Sequence, residues 1–374
     1  MPDTIRAAFV GCTHPHIFAR MQILQGWGID IAGCYDPDAA LTAALERDYG
    51  AHAFTSPDAL LDEPGVNFVI IEGWDPDNPA YVRRALARNQ AILLEKPGAP
   101  NLPAMRALVD DVRATPVPFQ VGYMLGFGAA LRHAQRIVDE GVLGPVTLAR
   151  IHAATPVGGS REIWQSLKDD LGGLMYTDAC HAVNLLYKLL GVPASVQARM
   201  LRLPEGETVI AHGFKPDTLA GLGQTVEMPI GGLVHEDAGA AVFLYADKLV
   251  TLDMTAWEAH PWVEAWRIEL YGANGTLHVG IEPPWYRLYV RNAKAGYEPG
   301  WHKWEGFGVT GVGTSLLVDE NYTREMQTMV ERVRRWDTDN HEWLREAEAV
   351  ITILSAMYDS DRTGSSAPID VRAF

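Results

Sequence analysis

The turn Gly11-Cys12-Thr13-His14-Pro15-His16 has the position of a dinucleotide-binding turn, because it follows an apolar run and precedes a helical stretch. Such a turn needs a glycine for the bend, a small residue near the pyrophosphate and a third glycine for close helix packing. Gly11 meets the first need, whereas Thr13 and His16 stand at the other two positions. By itself the turn is a weak indication of a cofactor site formed by Gly11, Cys12, Thr13, His14 and His16.

Asp36 supports the same interpretation from 25 residues further along the chain. It follows the second apolar run, Ile29 to Tyr35, where a carboxylate can accept hydrogen bonds from the adenosine ribose hydroxyls. A carboxylate there would repel a 2′-phosphate, so the sequence favours NAD over NADP. The alternative is an Asp-Pro turn in which Asp36 or Asp38 caps the next helix, and the two interpretations are compatible.

The tripeptide Glu95-Lys96-Pro97 is the sharpest local signal, since it directly follows the apolar run Ala91 to Leu94. In an open parallel sheet, ligands bind beyond the carboxyl ends of the strands. Lys96 at that edge can hydrogen-bond a substrate hydroxyl and help to move its proton, and burial beside a cationic nicotinamide ring would lower its pKa. The alternative is a surface lysine in a segment that merely ends the strand. Other cofactor-binding candidates should share this edge: Gly11, Asp36, Trp74 and Glu95.

The segment from Gly172 to His181 opens a helix and carries a second group of candidates. Thr177 and Asp178 lie four and three residues before His181, so the three side chains can share one helical face. A histidine there can take a proton from an alcohol as hydride leaves its carbon, because its pKa lies near neutrality. The alternative is a helix cap at Thr177 or Asp178 followed by a buried core histidine.

Aromatic residues offer flat faces that suit sugar rings, and the chain has 11 tryptophans. Cores or subunit interfaces explain most of them better. We expect Trp74 and Trp164 to line a pocket, because they neighbour the strand edge and the Gly172 loop. Tyr176 completes the predicted substrate contacts, which otherwise come from Lys96, Trp164 and His181.

The spacing of His14 and His16 also suggests a metal site, but a histidine pair in a turn needs two further ligands and the sequence identifies none. We therefore predict no metal and place both histidines along the pyrophosphate or nicotinamide, with plain packing roles as the alternative. The three cysteines Cys12, Cys34 and Cys180 are too scattered for a disulfide framework or a zinc cluster. Cys12 and Cys34 lie at strand ends, which favours small buried residues.

The first 125 residues alternate apolar runs with helical stretches, which indicates parallel βαβ units and a doubly wound Rossmann domain over residues 1–125. The predicted strands are Ile5 to Val10, Ile29 to Tyr35, Asn67 to Ile71, Ala91 to Leu94 and Val117 to Gly122. The first predicted helix follows the turn and ends at about Gly26. The others cover Ala39 to Tyr49, Asn78 to Arg88 and Leu102 to Thr115.

After about Gly126 the pattern changes to an α+β domain over residues 126–374, with an antiparallel or mixed sheet. The predicted strands are Val146 to Ala154, Val196 to Leu203, Ala240 to Tyr245, Leu249 to Thr255, Trp266 to Tyr271 and Gly275 to Val279. The predicted helices are Ala130 to Glu140, Asp178 to Leu190, Tyr322 to Trp336 and Glu342 to Ser360.

Composition narrows the classes of partner. The formal charge of −16 argues against nucleic acid, because a phosphate backbone needs a clustered basic face. No apolar run reaches the roughly 18 residues of a membrane span, so we expect no membrane partner. The start MPDTIRAAFVG lacks the basic and apolar regions of a secretory signal, which predicts a cytoplasmic protein.

Together, these motifs resemble those of the Gfo/Idh/MocA family, named for glucose–fructose oxidoreductase, inositol dehydrogenase and a rhizopine-catabolism protein. The resemblance covers nearly the whole chain, from the strand and glycine at Gly11 through Glu95-Lys96-Pro97 to the segment ending at His181. It continues in Tyr271-Gly-Ala-Asn-Gly-Thr-Leu277 and in the final helix, which ends in Ser360-Asp-Arg-Thr-Gly364.

The resemblance implies an NAD(P)-binding Rossmann domain and a C-terminal domain whose large open sheet often forms a subunit interface, hence a homodimer or homotetramer. It places the family's lysine on Lys96 and its histidine on His181. The family's aspartate, four residues before that histidine, corresponds to Thr177. Asp178 comes one residue late, and such a shift rotates a side chain by about 100° on a helix. An arginine often seen after the sixth strand is missing from Tyr123 to Phe127.

For function, the resemblance implies hydride transfer between a nicotinamide cofactor and a secondary alcohol of a sugar, glycoside or cyclitol. The expected partner is therefore a small polyol or sugar-like substrate. One alternative is an NAD-assisted glycosidase or lyase that works by transient oxidation. The other is a sensor of the same fold that binds NAD or another ligand without catalysis. The degenerate turn and the displaced aspartate support this alternative.

Overall fold

The computed structural model describes residues 4–154, 172–213, 224–257, 266–281, 283–306 and 320–373 of the chain. Trp164, a predicted substrate contact, lies outside the described residues. Three sheets organise the described chain: a five-stranded sheet, a nine-stranded sheet and a two-stranded hairpin. Among the described helices, none combines the length and the apolar character that a bilayer span requires.

The N-terminal sheet has five parallel strands: β1 Arg6–Val10, β2 Asp30–Tyr35, β3 Phe68–Ile71, β4 Ala91–Leu94 and β5 Phe119–Val121. Their order is β2-β1-β3-β4-β5. Strands such as β3 are continuous apolar runs because a doubly wound sheet is covered on both faces. A parallel bridge between Cys34 and Ala53 extends the sheet beyond β2. The predicted Rossmann sheet is confirmed.

Five helices belong to this domain: α1 His16–Gly26, α2 Ala39–Tyr49, α3 Pro57–Leu61, α4 Asn78–Leu86 and α5 Leu102–Ala114. Asp38 caps α2 by accepting a 2.9 Å hydrogen bond from the Ala40 amide, so Asp38 rather than Asp36 is the capping residue. The sequence pattern did not indicate the short helix α3. Ser56 caps it, and Pro57 stands at its first position, where a missing amide hydrogen costs nothing.

The C-terminal domain is built on a nine-stranded mixed sheet, as predicted. Its strands are β6 Val146–Ala154, β7 Ser195–Leu201, β10 Ala238–Leu244, β11 Leu249–Thr255, β12 Arg267–Gly272, β13 Gly275–Gly280, β14 Trp285–Val290, β15 Gly300–Glu305 and β16 Ala367–Pro368. Their order is β15-β14-β13-β12-β6-β11-β10-β7-β16, and only β6 and β11 pair in parallel. The hairpin consists of β8 Thr208–Gly213 and β9 Gln224–Pro229. The predicted strands did not include β8, β9, β14, β15 and β16.

The helices described in this half are α6 Ala129–Asp139, α7 Leu174–Thr177, α8 Ala179–Leu190, α9 Glu320–Arg335 and α10 His341–Thr363, with a 3₁₀ turn at Met124–Phe127. The sequence predicts one helix beginning at Asp178. The structure instead has two helices, α7 and α8, that meet at Asp178. This break decides the direction of a site residue, as described below.

The two terminal helices pack back onto the N-terminal domain. Helix α9 contacts α1 and the 3₁₀ turn, and α10 contacts α5 and β5. Asn340, just before α10, donates its side-chain amide to the carbonyl of Val117 and accepts from the amide of Phe119. These contacts hold the two large sheets together, so helices that follow the second sheet in the chain also support the first.

Within the described residues, one face of the nine-stranded sheet is open, because the helices described pack on the other face. Helix α8 covers the other face at β6, α10 covers it at β7 and α6 covers it at β13. The strand register places a series of exposed large hydrophobic side chains on the open side. They are Leu201, Val242, Leu244, Leu249, Tyr289 and Trp301.

Candidate active-site cleft

The backbone of the turn after β1 packs closely against the backbone at the end of β3. Gly11 has a φ of 69°, and a Cβ on Gly11 would lie 2.5 Å from the Cα of Gly73. The amide of His14 and the hydroxyl of Thr13 both donate to the carbonyl of Glu72, at 3.0 and 3.3 Å. Because β2 lies beyond β1 and β4 lies beyond β3, this is the topological switch point at which open α/β sheets bind ligands.

Asp36 fixes the turn from the end of β2. Its Oδ2 accepts from the amide of Cys12 at 2.6 Å, and its Oδ1 accepts from the amide of Asp38 at 2.8 Å. Burial raises the pKa of Asp36, and the two backbone hydrogen bonds oppose that rise. Each carboxylate oxygen keeps a second lone pair, so Asp36 can still accept from ribose hydroxyls. Cys12 contributes through its backbone amide. Cys12 and Cys34 are buried, as predicted, and Cys180 is buried as well.

His14 and His16 converge on Glu95. His16 Nδ1 lies 3.0 Å from Glu95 Oε1, and His14 Nδ1 lies 3.5 Å from the same oxygen. Burial lowers the pKa of both imidazoles well below the ordinary value, and the charges of Lys96 and Arg20 add to this at both histidines. Sequence reasoning did not connect Glu95 with the histidines, because 79 residues separate it from His16.

Glu95 also belongs to a buried ionic network that the sequence motifs did not indicate. Arg20 Nη1 contacts both Glu95 and Glu72, the latter at 2.6 Å, and Arg20 Nε contacts Glu325 at 2.9 Å. Burial raises the pKa of Glu72 well above its ordinary value, although Arg20 opposes the rise. Glu72 follows β3, so the strand-end rule could have found it, whereas nothing in the local sequence marks Arg20 or Glu325.

Lys96 is buried and points across the cleft to the junction of α7 and α8. Its Nζ donates to the carbonyl of Thr177 at 2.8 Å and lies 3.6 Å from Asp178 Oδ1. Burial lowers the pKa of Lys96, as the sequence argument expects, but the negative charges of the nearby Asp178 and Glu95 carboxylates help to outweigh burial and raise it. The predicted lowering is wrong for the protein by itself, and Lys96 is held as a cation.

Asp178, not Thr177, presents its side chain to Lys96. The Thr177 hydroxyl donates to the carbonyl of Gly173 at 2.9 Å, so it is used within α7. The helix is interrupted at Asp178, where φ is −113° and ψ is −43°. The expected rotation of about 100° assumes a continuous helix and therefore does not apply. The break turns the Asp178 carboxylate to Lys96 even though it comes one residue late.

His181 brings an unpaired ring nitrogen to the same cleft. Its side chain is buried, and its Nδ1 has no hydrogen-bond partner within the part of the chain that the structure describes. The centre of its ring lies 6.2 Å from those of His16 and Tyr123 and 6.1 Å from that of Trp266. Burial, helped by the charge of Lys96, lowers the pKa of His181 well below its ordinary value, so the imidazole is neutral.

Tyr123 and Trp266 were not among the predicted site residues. Tyr123 is the second residue after β5, so the rule that ligands bind beyond strand ends would have included it. Trp266 precedes β12 and has no such signal, because its place beside His181 depends on how the two domains pack.

Tyr176 and Trp74 are placed less directly. Tyr176 is fully buried, and its hydroxyl donates to the carbonyl of Ala99, which braces the loop after Lys96. Its contact with a substrate stays a prediction. Trp74 packs partly buried against the core at the end of β3, and its contact with a cofactor stays a prediction.

Glu236, which lies two residues before β10, hydrogen-bonds the start of α7. Its Oε1 accepts from the amides of Gly173 and Met175, at 3.1 and 2.7 Å, and from the hydroxyl of Tyr358 at 2.6 Å. A carboxylate at a helix N-terminus is stabilising because it satisfies amides that have no partner within the helix. Glu236 therefore positions the segment that carries Thr177 and Asp178.

A dinucleotide fits the turn at two points. The close approach of Gly11 to Gly73 makes the sharp bend, and Asp36 keeps acceptor capacity beside the turn. The departure is His16, whose imidazole stands where the third glycine leaves room. That imidazole is turned toward Glu95, so it lies under the turn as a buried group.

Two family models match the chain. One, described as an oxidoreductase family with an NAD-binding Rossmann fold, matches residues 5–123, and the other, the GFO/IDH/MocA C-terminal domain, matches residues 131–278. The chain belongs to the Gfo/Idh/MocA family. The resemblance inferred from the motifs is confirmed, and the N-terminal domain of this Gfo/Idh/MocA protein is of the NAD-binding type.

Curated relatives of this Gfo/Idh/MocA protein match it over part of their length. An uncharacterized oxidoreductase of Streptococcus pneumoniae is 26% identical over 45% of this chain and 46% of its own. An inositol 2-dehydrogenase of Ralstonia nicotianae is 26% identical over 41% of this chain and 48% of its own. The chain thus spans about half the length of these curated relatives.

Solved structures match the Gfo/Idh/MocA protein over nearly its whole length. An oxidoreductase of Agrobacterium radiobacter, solved with NAD⁺, L-tartaric acid and magnesium, has a TM-score of 0.76 and 15% identity, covering 98% of each chain. A levoglucosan dehydrogenase, solved with NADH and levoglucosan, has a TM-score of 0.75 and 14% identity, covering 98% of this chain and 100% of its own. At this identity the similarity shows the shared fold.

Proposed function

We propose that this Gfo/Idh/MocA protein is an NAD-dependent dehydrogenase that oxidises a secondary alcohol of a sugar, glycoside or cyclitol. The observation that supports the proposal is the contact of Lys96 with Thr177 and Asp178, the residues just before His181 in the chain. Lys96 is a buried cation facing Asp178, and among the described residues the Nδ1 of His181 has no partner. A bound alcohol needs these two groups, one to hold its oxygen and one to take its proton.

Each group has a separate task. A nicotinamide ring bound at this edge of the sheet supplies the hydride acceptor. The ammonium of Lys96 has three donors and gives one to the Thr177 carbonyl, so a donor is left for the substrate oxygen beside the Asp178 carboxylate. That donor stabilises the negative charge that develops on the oxygen. His181, neutral and buried, accepts the hydroxyl proton at Nδ1.

The proposed preference for NAD over NADP rests on Asp36. Its carboxylate is held by the amides of Cys12 and Asp38, so it cannot readily turn away from the ribose position. A 2′-phosphate placed there would meet a fixed negative charge. The ribose 2′-hydroxyl would instead donate to it.

The proposed substrate class rests on the mixed lining of the cleft. Lys96 and His181 are polar, and the rings of Tyr123 and Trp266 lie beside His181. Such a lining suits a ring that carries hydroxyls on its edge and C–H groups on its faces. The inositol 2-dehydrogenase and levoglucosan dehydrogenase among its relatives support the same class.

The test is the Lys96→Met variant, assayed with a panel of sugars, glycosides and cyclitols by NADH absorbance. We expect kcat to fall about 10²–10⁴-fold, because the variant loses the donor to the substrate oxygen. NAD⁺ affinity, measured by titration, should stay close to that of the unaltered protein, because the Gly11 turn and Asp36 are unchanged. NADP⁺ should bind more weakly than NAD⁺ to both.

Lys188→Met is the matched control. Lys188 also pairs with a carboxylate, since its Nζ lies 3.0 Å from Glu346 Oε1, but it belongs to α8 away from the cleft. Its rate should be normal. Near-normal turnover in Lys96→Met would reject the assignment, substrate conversion without net NADH would indicate transient oxidation, and cofactor binding without turnover of any compound would indicate a sensor.

A further inference from the structure

Three side chains in and next to the dinucleotide turn form a set of metal-ligand atoms that the proton transfer at Lys96 and His181 does not use. His14, His16 and Glu95 each offer one ligand atom, and these atoms all lie within 4.8 Å of one another. The Glu95 Oε1 is 3.0 Å from His16 Nδ1 and 3.5 Å from His14 Nδ1. Two ligands at about 2.0–2.2 Å from a tetrahedral zinc ion are roughly 3.3–3.6 Å apart, which is close to the two distances from Glu95 Oε1.

Glu95 Oε1 is aimed into this set without a hydrogen bond from any of the described residues. Its side chain is 1% exposed, so water does not replace the missing donor. The other oxygen, Oε2, is bound by Arg20, whose single guanidinium also serves Glu72 and Glu325. His16 Nδ1 also hydrogen-bonds Oε2, at 3.2 Å, so His16 would bind a metal through Nε2 or by giving up this bond. A buried carboxylate oxygen without a donor carries a desolvation cost that a bound cation removes.

The two imidazoles complete the set from the open side. His14 Nδ1 accepts a long hydrogen bond from the His16 amide at 3.4 Å, so it carries no proton, and a metal ion would replace this weak bond at its lone pair. The His14 side chain is 22% exposed, whereas His16 is buried. An ion can therefore enter past His14 while His16 and Glu95 close the far side.

We propose that His14, His16 and Glu95 bind a divalent transition-metal ion of the zinc class. Two histidines and one carboxylate form an open three-ligand set, which leaves a fourth position for water or another oxygen ligand. The His181 ring lies 6.2 Å from the His16 ring, so that position borders the cleft. This revises the expectation of no metal, because the third ligand comes from the end of β4 rather than from the turn.

The metal site and the dehydrogenase proposal can fail separately. Metal binding is measured on the full chain without dinucleotide or substrate. A protein that binds no metal can still oxidise an alcohol through Lys96 and His181. A protein that binds metal can likewise prove inactive with every alcohol.

The experiment uses chelator-treated full-length protein, titrated with Zn²⁺ by calorimetry and with Co²⁺ by visible absorption. We expect one high-affinity equivalent of each, and intense d–d bands from Co²⁺ in a site of low coordination number. His14→Ala should weaken Zn²⁺ binding at least about tenfold and remove the bands. His14 is the most exposed of the three ligands, so this variant is the one best placed to keep the fold, which its thermal midpoint verifies.

His52→Ala is the matched control. His52 Nδ1 lies 2.9 Å from Glu46 Oε1, which makes it a second histidine–glutamate pair, but an exposed one outside the three-ligand set. Its Zn²⁺ affinity should equal that of the unaltered protein. The proposal is overturned if the unaltered protein binds no stoichiometric Zn²⁺ or Co²⁺, or if its Co²⁺ bands are those of a weak octahedral surface site. It is also overturned if His14→Ala binds Zn²⁺ as tightly as His52→Ala does.

Discussion

Burial lowers the pKa of both Lys96 and His181, but the net shifts are opposite, because nearby carboxylates reverse the effect of burial only at Lys96. The charge of Asp178, 3.6 Å from Lys96, helps to raise the pKa of Lys96 against the effect of burial. At His181 burial and the charge of Lys96 both lower the pKa. The result is one fixed cation and one neutral base, which are complementary roles in alcohol oxidation.

Residues 177 and 178 give a direct test of which atom supports Lys96. Asp178→Asn removes the charged partner, and losing a charge-assisted contact of about 1.5–3 kcal/mol should lower kcat/KM roughly tenfold to a hundredfold. Thr177→Val removes only the hydroxyl bound to Gly173 and keeps the backbone carbonyl that binds Lys96. Its rate should stay close to normal. Steady-state kinetics on both variants check this, and the reverse order of effects would show that the Thr177 hydroxyl acts on the substrate.

At the scale of elements, the cleft is assembled by a helix break and by two anchors. The junction of α7 and α8 turns Asp178 to Lys96, and Glu236 holds the first amides of α7. Arg20 joins α1 to α9 through Glu325. None of these contacts lies within one element, so the site depends on how separate elements are held against each other.

Arg20 should therefore matter for stability more than any surface arginine. Arg20→Met leaves buried carboxylates without their shared cation, which should lower the free energy of unfolding by about 3–5 kcal/mol. Urea unfolding measures this. The control is Arg47→Met, since Arg47 pairs with Asp48 on the surface and should contribute little. Equal, small effects of both variants would show that the carboxylates are neutral in the folded protein and do not need Arg20.

At the scale of the whole molecule, the open face of the nine-stranded sheet is the surface to explain. It carries exposed Leu244 and Leu249 as opposed neighbours on β10 and β11. Large exposed apolar patches of soluble proteins usually mark interaction sites. We expect a homodimer or homotetramer that buries this face.

Light scattering after size exclusion tests the assembly. The unaltered protein should have the mass of a dimer or tetramer, and Leu244→Glu with Leu249→Glu should give a monomer, because burying the added charges would be costly. Trp27→Glu serves as the control, since Trp27 is exposed at the end of α1, outside the sheet, and should leave the mass unchanged. A monomeric unaltered protein, or a double variant that stays assembled, would contradict the proposed interface.

Local sequence patterns were sufficient for the architecture and for one edge of the cleft. Continuous apolar runs separated by helices predicted the parallel sheet, and consecutive strands predicted the mixed sheet. The rule that ligands bind beyond strand ends singled out Gly11, Asp36 and Lys96, each of which follows a strand of the same parallel sheet. These inferences succeed because they depend on residues close together in the chain.

Only the tertiary structure decided which groups meet across the cleft. Glu95 reaches His16 over 79 residues, and Arg20 reaches Glu325 over 305 residues. No periodicity records such contacts, since they depend on how sheets and helices pack. The direction of Asp178 was equally hidden, because it follows from a helix break between α7 and α8. The hydrophobic pattern of the sequence determines where helices and strands form. Packing between distant parts of the chain determines which charged groups lie next to each buried side chain.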